Sequence, residues 1–330
     1  MHKNNPNTTS FFQKIHDKHP KLAQKLRLGT GLGTMVANSV AISVPLYGAG
    51  LAKTLLGSKQ GDKAVLSIAN HWINTNNRLL DTLMPERDWR ISVPDDLKKD
   101  GRYLLVCNHQ SWVDTSVVQY VSESRLPITR FFAKHELLYI PIVGQAFYFL
   151  DFPMMKRHSK AQIAKNPALA TRDLEEARRA CGLLADKPFV LLNYLEGTRF
   201  GNDKHARQHS PYTHLLKPKA GGFALAIASL GDKIDGILDM TVVYPDGVPN
   251  YGELWAGKMT RLGVDIRHLK MDERLFAQLK EGKYDNDEAV KAELFDFLDE
   301  VWTIKDERIG QMISKFDDCW PWQSCNKIIR

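Results

Sequence analysis

Two short segments of this chain combine residue types that can move a proton and hold an anion. The first is Asn108-His109-Gln110-Ser111-Trp112-Val113-Asp114. A histidine of near-neutral pKa can take a proton from an alcohol. An aspartate on its other ring nitrogen fixes the tautomer and stabilises the imidazolium. The step from His109 to Asp114 does not put both side chains on one helical face. They meet only if His109 precedes a helix and folds back over its start, with Asp114 in the first turn. Ser111 with Asp114 three residues on also reads as a capping-box-like helix start, in which Asp114 merely caps the positive end. The second segment is Glu196-Gly197-Thr198-Arg199. A guanidinium grips phosphate with a planar fork, and a glycine lets backbone approach a ligand closely. Glu196 would orient Arg199 or a substrate hydroxyl. The plainer reading of this tetrapeptide is a turn with a surface ion pair.

The elements around the two segments suit strand-end sites. Tyr103–Cys107 is an uninterrupted apolar strand running into His109, and helical signal continues from Asp114 to Val121. A second apolar run, 188–195, ends at Glu196, and a third spans 237–244. Arg90–Val93 reads as a short strand and 94–101 as a turn. Helical stretches cover 60–87, 163–185 and 219–230, and a charged helical tail covers about 272–315. Strands alternating with helices predict an α/β fold: a mixed central sheet flanked by helices. The divisions expected are a basic N-terminus with a membrane-associating helical segment (1–59), an α/β domain (60–265) and a C-terminal helical extension (266–330).

Residues 28–52 carry no charge and are flanked by Lys25, Arg27, Lys53, Lys59 and Lys63. The stretch has the length of a membrane helix, but its glycines, Asn38, Ser39, Ser43 and Pro45 weaken it as a spanning segment. A signal peptide and a buried helical pair compete with the favoured reading. That reading is a membrane-inserted or interfacial helix whose basic flanks rest on anionic headgroups. A net charge of +7 also suits an anionic partner. The basic residues are scattered among acids, which argues against nucleic acid. The four cysteines, Cys107, Cys181, Cys319 and Cys325, are sparse and read as reduced thiols, with a Cys319–Cys325 bridge as the lesser alternative. His205, His209 and His214 fit no zinc spacing and read as a solvated loop; no metal is expected.

Taken together, Asn-His-x4-Asp and the later Glu-Gly-Thr-Arg resemble the glycerophospholipid acyltransferase family, whose type member is 1-acyl-glycerol-3-phosphate acyltransferase. Residues 131–157, FFAKHELLYIPIVGQAFYFLDFPMMKR, resemble the family's second block, and His214–Phe223 with Thr241–Pro245 its fourth. LDFPMMKR and DMTVVYPDG look nearer the lysocardiolipin and lysophosphatidylinositol branch. Asp151 and Pro153 depart from the apolar pattern of the second block, and Val-Tyr-Pro departs from the fourth. The resemblance implies transfer of a fatty acyl group from acyl-CoA or acyl carrier protein to the free hydroxyl of a lysophospholipid, with sn-2 the expected position. His109 would be the general base and Asp114 its orienter. Arg157, Lys156, Glu196, Gly197, Thr198 and Arg199 would bind the acceptor phosphate. Asn108, Val243, Tyr244 and Pro245 would lie at an acyl or donor site. Backbone N–H groups at the start of the Ser111 helix would hold the oxyanion. An acyl-Ser111 intermediate is the rival route. The aromatic run 137–150 would serve partly as core and partly as acyl lining. No cofactor is implied. The expected location is a membrane, at the cytoplasmic face of a bacterial inner membrane. The alternatives are a non-catalytic protein that docks on anionic membranes, and an acyltransferase acting on lysophosphatidylglycerol, lysocardiolipin or lysophosphatidylinositol.

Overall fold

A computed structural model describes residues 11–84, 87–123, 125–155, 165, 166 and 168–317. The strands are β1 (Asp88–Ser92), β2 (Arg102–Cys107), β3 (Thr129–Phe131), β4 (Ala133–Lys134), β5 (Met154–Met155), β6 (Phe189–Tyr194), β7 (Gly236–Val243) and β8 (Arg261–Leu269). Six of them form one sheet in the order β1-β8-β7-β2-β6-β3; β4 and β5 pair separately. β2 lies between β6 and β7 and is parallel to both, whereas β8 runs antiparallel to β7. The sheet is therefore mixed, as expected. Helices cover both faces, which is why β2 and β6 are continuous apolar runs rather than alternating ones.

Alternate residues of β2 feed two cores. Leu104 and Val106 join Leu191, Phe223, Ile227, Leu298 and Trp302 on one face. Leu105 and Cys107 join Val117, Leu192, Met240 and Leu262 on the other. The first core corrects the expected boundary at 265. That position falls inside β8, and the C-terminal helix Glu288–Asp317 supplies Leu294, Leu298, Trp302 and Ile309 to the same core as β2. Lys305 on that helix is fully buried, donates to the Met240 carbonyl at 2.7 Å and pairs with Asp239, which Arg308 also meets at 2.9 Å. The described residues beyond 265 thus complete the sheet domain rather than extend from it.

Three helices precede the sheet: α1 (Phe11–Lys18), α2 (Pro20–Leu56) and α3 (Lys59–Leu83). Gly57, at φ 57°, ends α2, and Ser58 caps α3 by accepting from Gly61 N–H at 3.1 Å. A Cβ on Gly61 would stand 2.6 Å from the Lys53 backbone nitrogen, so only glycine permits this hairpin. The polar residues that weakened the apolar stretch are inter-helix contacts. Asn38 donates to Asn76 at 3.1 Å, and Trp72 to Ser39 at 3.0 Å. Along α2, Val36, Val40, Val44, Leu51 and Leu55 remain exposed. The segment is therefore a helical pair on one flank and an open apolar face on the other. By length and composition α2 could cross a membrane.

Two further helices, α4 (Val113–Ser122) and α5 (Val143–Phe149), complete the surroundings of the site. α5 packs on α2: Tyr47 donates to Gln145 at 2.9 Å, and Phe149 shares a small core with Leu46, Val65 and Ala69. A four-charge clamp holds this corner. Lys53 and Lys187 both bridge Asp62 and Asp151, at 2.6–3.0 Å. Asp151 sits at φ 57°, where its carboxylate turns back to the hairpin. Its departure from the apolar family pattern thus has a local purpose. Trp320, Trp322, Cys319 and Cys325 lie outside the described residues; Cys107 and Cys181 are buried free thiols.

Candidate active site

The sheet delivers both motifs to one end. Cys107, the last residue of β2, is in register with Tyr194, the last of β6, so the loops that follow emerge side by side. His109 precedes α4 and folds back over it, and Asp114 lies in the first turn. His109 Nδ1 is 2.8 Å from Asp114 Oδ2. The Asp114 carboxylate is fully buried and saturated: Oδ2 also accepts from the N–H groups of Gln110 (2.7 Å) and Ser111 (3.0 Å), and Oδ1 from the Tyr244 hydroxyl (2.6 Å). These bonds fix the orientation of the carboxylate. Because the carboxylate takes Nδ1, the neutral ring carries its proton there and presents a bare Nε2. Nε2 has no hydrogen-bond partner among the described residues. The imidazole is otherwise packed flat on the Tyr194 ring, with centroids 3.9 Å apart and planes 14° from parallel.

The second motif clasps the first from the other side. Glu196 Oε1 accepts from the His109 N–H at 2.7 Å and Oε2 from the Leu216 N–H at 3.0 Å, while the His109 carbonyl accepts from the Phe200 N–H at 2.7 Å. Glu196 is fully buried, and burial pushes its pKa up to about 7. It is a brace between loops, with no oxygen left to face a phosphate; its expected place in the anion site is corrected. Gly197 turns at φ 66°, and Thr198 and Arg199 follow at the surface. Arg199 lies over the Trp112 ring at 4.8 Å, which brings the two motifs into contact. Lys156 and Arg157 lie outside the described residues.

Residues that sequence reasoning left unassigned stand beside this loop. Lys204 donates to Thr198 Oγ1 and to the Arg199 carbonyl, both at 2.8 Å. The Lys219 ammonium lies 3.0 Å from where a Gly197 Cβ would be. Lys204 lies on a short helix, Asn202–Gln208, and Lys219 immediately precedes the helix Ala220–Leu230, so their basic charge was visible but their direction was not. The expected solvated loop is corrected at His205, which lies on the short helix and is tied to the Tyr212 carbonyl at 2.6 Å. Among the described residues no cluster of three or more histidines, cysteines or acids is arranged to hold a metal.

The fourth block is also corrected. Asn108 is buried and binds the Val242 backbone twice, at 2.8 and 2.9 Å. Val243 is core, and Tyr244 is spent on Asp114. None of Asn108, Val243, Tyr244 or Pro245 lines the apolar cavity. These residues lock β7 to the β2 loop, so they support the histidine from behind. Ser111 is likewise occupied: its hydroxyl donates to the Pro249 carbonyl and accepts from the Val113 N–H at 3.1 Å. The N–H groups of Gln110, Ser111 and Val113 are therefore already engaged and do not form the expected oxyanion site.

A cavity of about 570 Å³ opens between α2, α3, α4 and α5. Trp112 and Thr115, which flank Val113 and Asp114, line its near side; Ile42 and Trp72 come from the hairpin, and Phe131 and Phe147 from the second block. The volume is in the range of ligand pockets. The aromatic run divides, with Val143, Ala146 and Phe147 on the cavity and Phe149 in the core.

This arrangement, a histidine–aspartate pair at the carboxyl end of a central strand beside an apolar cavity, defines an α/β enzyme-like site. Residues 88–245 match the family model described as Acyltransferase. Over 184 residues the chain is 27% identical to 1-acyl-sn-glycerol-3-phosphate acyltransferase delta of Mus musculus, covering 52% of this chain and 46% of that one. Over 210 residues it is 29% identical to the gamma protein of Homo sapiens, covering 57% and 52% respectively. The crystal structure of the 1-acyl-sn-glycerophosphate acyltransferase of Thermotoga maritima aligns with a TM-score of 0.42 and 17% identity, covering 78% of this chain and 98% of that one. The chain spans about half the length of the curated relatives it matches. Over residues 88–245 the chain is thus similar to the acyltransferase family, and the relatives it resembles are of the glycerophospholipid type.

Proposed function

We propose that this protein transfers a fatty acyl group from a thioester donor, acyl-CoA or acyl carrier protein, to the free hydroxyl of a lysophospholipid such as 1-acyl-glycerol-3-phosphate, at sn-2. The observation that carries the reading is His109: its Nδ1 is held by a saturated, buried Asp114, and its Nε2 is unpartnered beside the loop that carries Arg199. The acceptor hydroxyl gives its proton to Nε2 while its oxygen attacks the thioester carbonyl. The tetrahedral species collapses, the C–S bond breaks and the thiolate leaves. The imidazolium then returns its proton to the sulfur. General base catalysis supplies about 10²–10⁴-fold. The occupied Ser111 hydroxyl favours this direct transfer over an acyl-serine route.

Arg199 and Lys219, exposed on either side of Gly197, with Thr198 between, would bind the acceptor phosphate, joined by Lys156 and Arg157. The cavity beside α4 would take an acyl chain. The exposed apolar row of α2, with Lys18, Lys21 and Lys25 at its start, would rest on an anionic membrane at its cytoplasmic face. In the domain reading, 1–59 is the membrane element, and the α/β domain runs from 60 through the C-terminal helix.

The test is thiol release from oleoyl-CoA with lysophosphatidic acid in detergent micelles, for wild type and His109→Ala. Wild-type turnover that falls at least a hundredfold in the variant, with the fold intact, is the expected result. Equal rates would overturn the base assignment. Turnover with lysophosphatidylglycerol but not lysophosphatidic acid would redirect the headgroup and leave the chemistry standing.

A further inference from the structure

The Asp114 bond controls only one edge of the His109 ring. A single in-plane hydrogen bond leaves the imidazole free to tilt about that contact, and a tilted ring aims Nε2 away from an acceptor. The tilt is blocked by Tyr194. Its ring lies parallel to the imidazole within 14°, at 3.9 Å between centroids. Tyr194 is the last residue of β6, in register with Cys107, so its backbone is held by the same ladder that carries His109. Its hydroxyl is sealed from solvent beside Thr115, a residue of the cavity wall. The ring is thus anchored by the sheet at its backbone end and enclosed at its hydroxyl end.

We propose that Tyr194 is a positioning residue for His109: its ring is the platform that sets the direction of Nε2 and steadies the imidazolium formed during transfer. A cation over an aromatic face is attracted by the ring quadrupole, so the stack favours the protonated ring over the neutral one. This inference rests on His109 being the base. Other groups face the same histidine. Asp114 meets Nδ1 from α4, Glu196 reaches only its backbone N–H, Tyr244 stands behind Asp114, and Arg199 lies across Trp112. Lys305 acts on Glu196 through the sheet. None of these touches the face that Tyr194 covers, so exchanging the ring changes that face alone.

The experiment compares wild type, Tyr194→Phe and Tyr194→Leu. Rates with oleoyl-CoA and lysophosphatidic acid are measured across pH, and the His109 ring is titrated by NMR on histidine-labelled protein. Tyr194→Leu lowers kcat about tenfold with little change in either KM, as loss of orientation does. It moves the acid limb of kcat/KM, and the His109 pKa, down by about half a unit. Tyr194→Phe keeps both near wild type. Should the leucine variant not fold, fluorinated phenylalanines at position 194 preserve shape while draining the ring face, and the His109 pKa then falls stepwise with fluorination. An unchanged His109 titration in the leucine or fluorinated proteins overturns the proposal, as does a phenylalanine variant that behaves like the leucine one. Because the NMR titration needs no turnover, its outcome is separate from the base assignment, which fails only if His109→Ala stays active.

Discussion

Two buried aspartates, Asp114 in the first turn of α4 and Asp239 on β7, illustrate two ways of keeping a carboxylate out of water. Asp114 is served by neighbours in its own loop, by the N–H groups of Gln110 and Ser111 and by His109, with Tyr244 as the one distant donor. Asp239 is served by Lys305 and Arg308, two full cations from the C-terminal helix. Both satisfy the rule that a buried charge needs partners. The difference lies in what is left over. Lys305 also binds the Met240 carbonyl and Arg308 also reaches Asp265, so that cluster is closed and ties a helix to a sheet. Around Asp114 the partner is an imidazole with a second nitrogen, and that nitrogen is open. The same physics gives a structural cross-link in one place and a poised base in the other.

If the comparison is right, the two clusters separate function from stability. Asp114→Asn should lower the acyl-transfer rate on the order of 10³–10⁴-fold through loss of the correct tautomer. Steady-state kinetics beside circular dichroism checks this, and a rate within tenfold of wild type would break the assignment of roles. Lys305→Met should do the reverse. It leaves a buried ion pair broken and costs about 3–5 kcal/mol of stability by urea unfolding, with kcat per folded molecule close to wild type. An unchanged unfolding midpoint would show that Arg308 alone suffices for Asp239.

Two smaller effects sharpen the boundary between the regions. Burial raises Glu196 from 4.5 to about 7. Between those values the folded protein keeps a proton that the unfolded chain has released, so stability falls as pH rises through the window. Glutamine does not titrate. The stability of wild type relative to Glu196→Gln should therefore decline by about 3 kcal/mol from pH 4 to pH 8. A flat difference would mean that the carboxyl is not desolvated as its position indicates. Tyr244→Phe removes one donor to Asp114 and should cost about 2 kcal/mol in unfolding free energy. Its effect on kcat should be smaller than that of Asp114→Asn, and a loss as large would place Tyr244 among the reacting groups.

Legibility followed the range of the interaction. β2, β6 and β7 are buried on both faces, so each is an apolar run that announces itself. β8 was not read as a strand: Leu262, Val264 and Ile266 turn inward, but Gly263 and the charged Arg261, Asp265 and Arg267 between them dilute the signal. Residues 266–330 read as an extension because the stretch 272–315 is charged and helical, yet Lys305 within it is buried. Glu196 was assigned to a phosphate by its motif; only the fold shows both oxygens taken by backbone N–H groups.

The His109–Asp114 pair was legible in the sequence, because a strand, a loop and a first helical turn can bring residues five apart together by local geometry. The tertiary structure decided everything that needs distant chain. It supplied the Tyr194 face, the Glu196 brace, the Tyr244 donor, the cavity between the hairpin and α5, and the pairing of Asp239 with a helix more than sixty residues on. The reason is that local geometry follows from backbone sterics and hydrogen bonding over a few residues. Which groups share a buried volume depends instead on how the whole chain closes its cores.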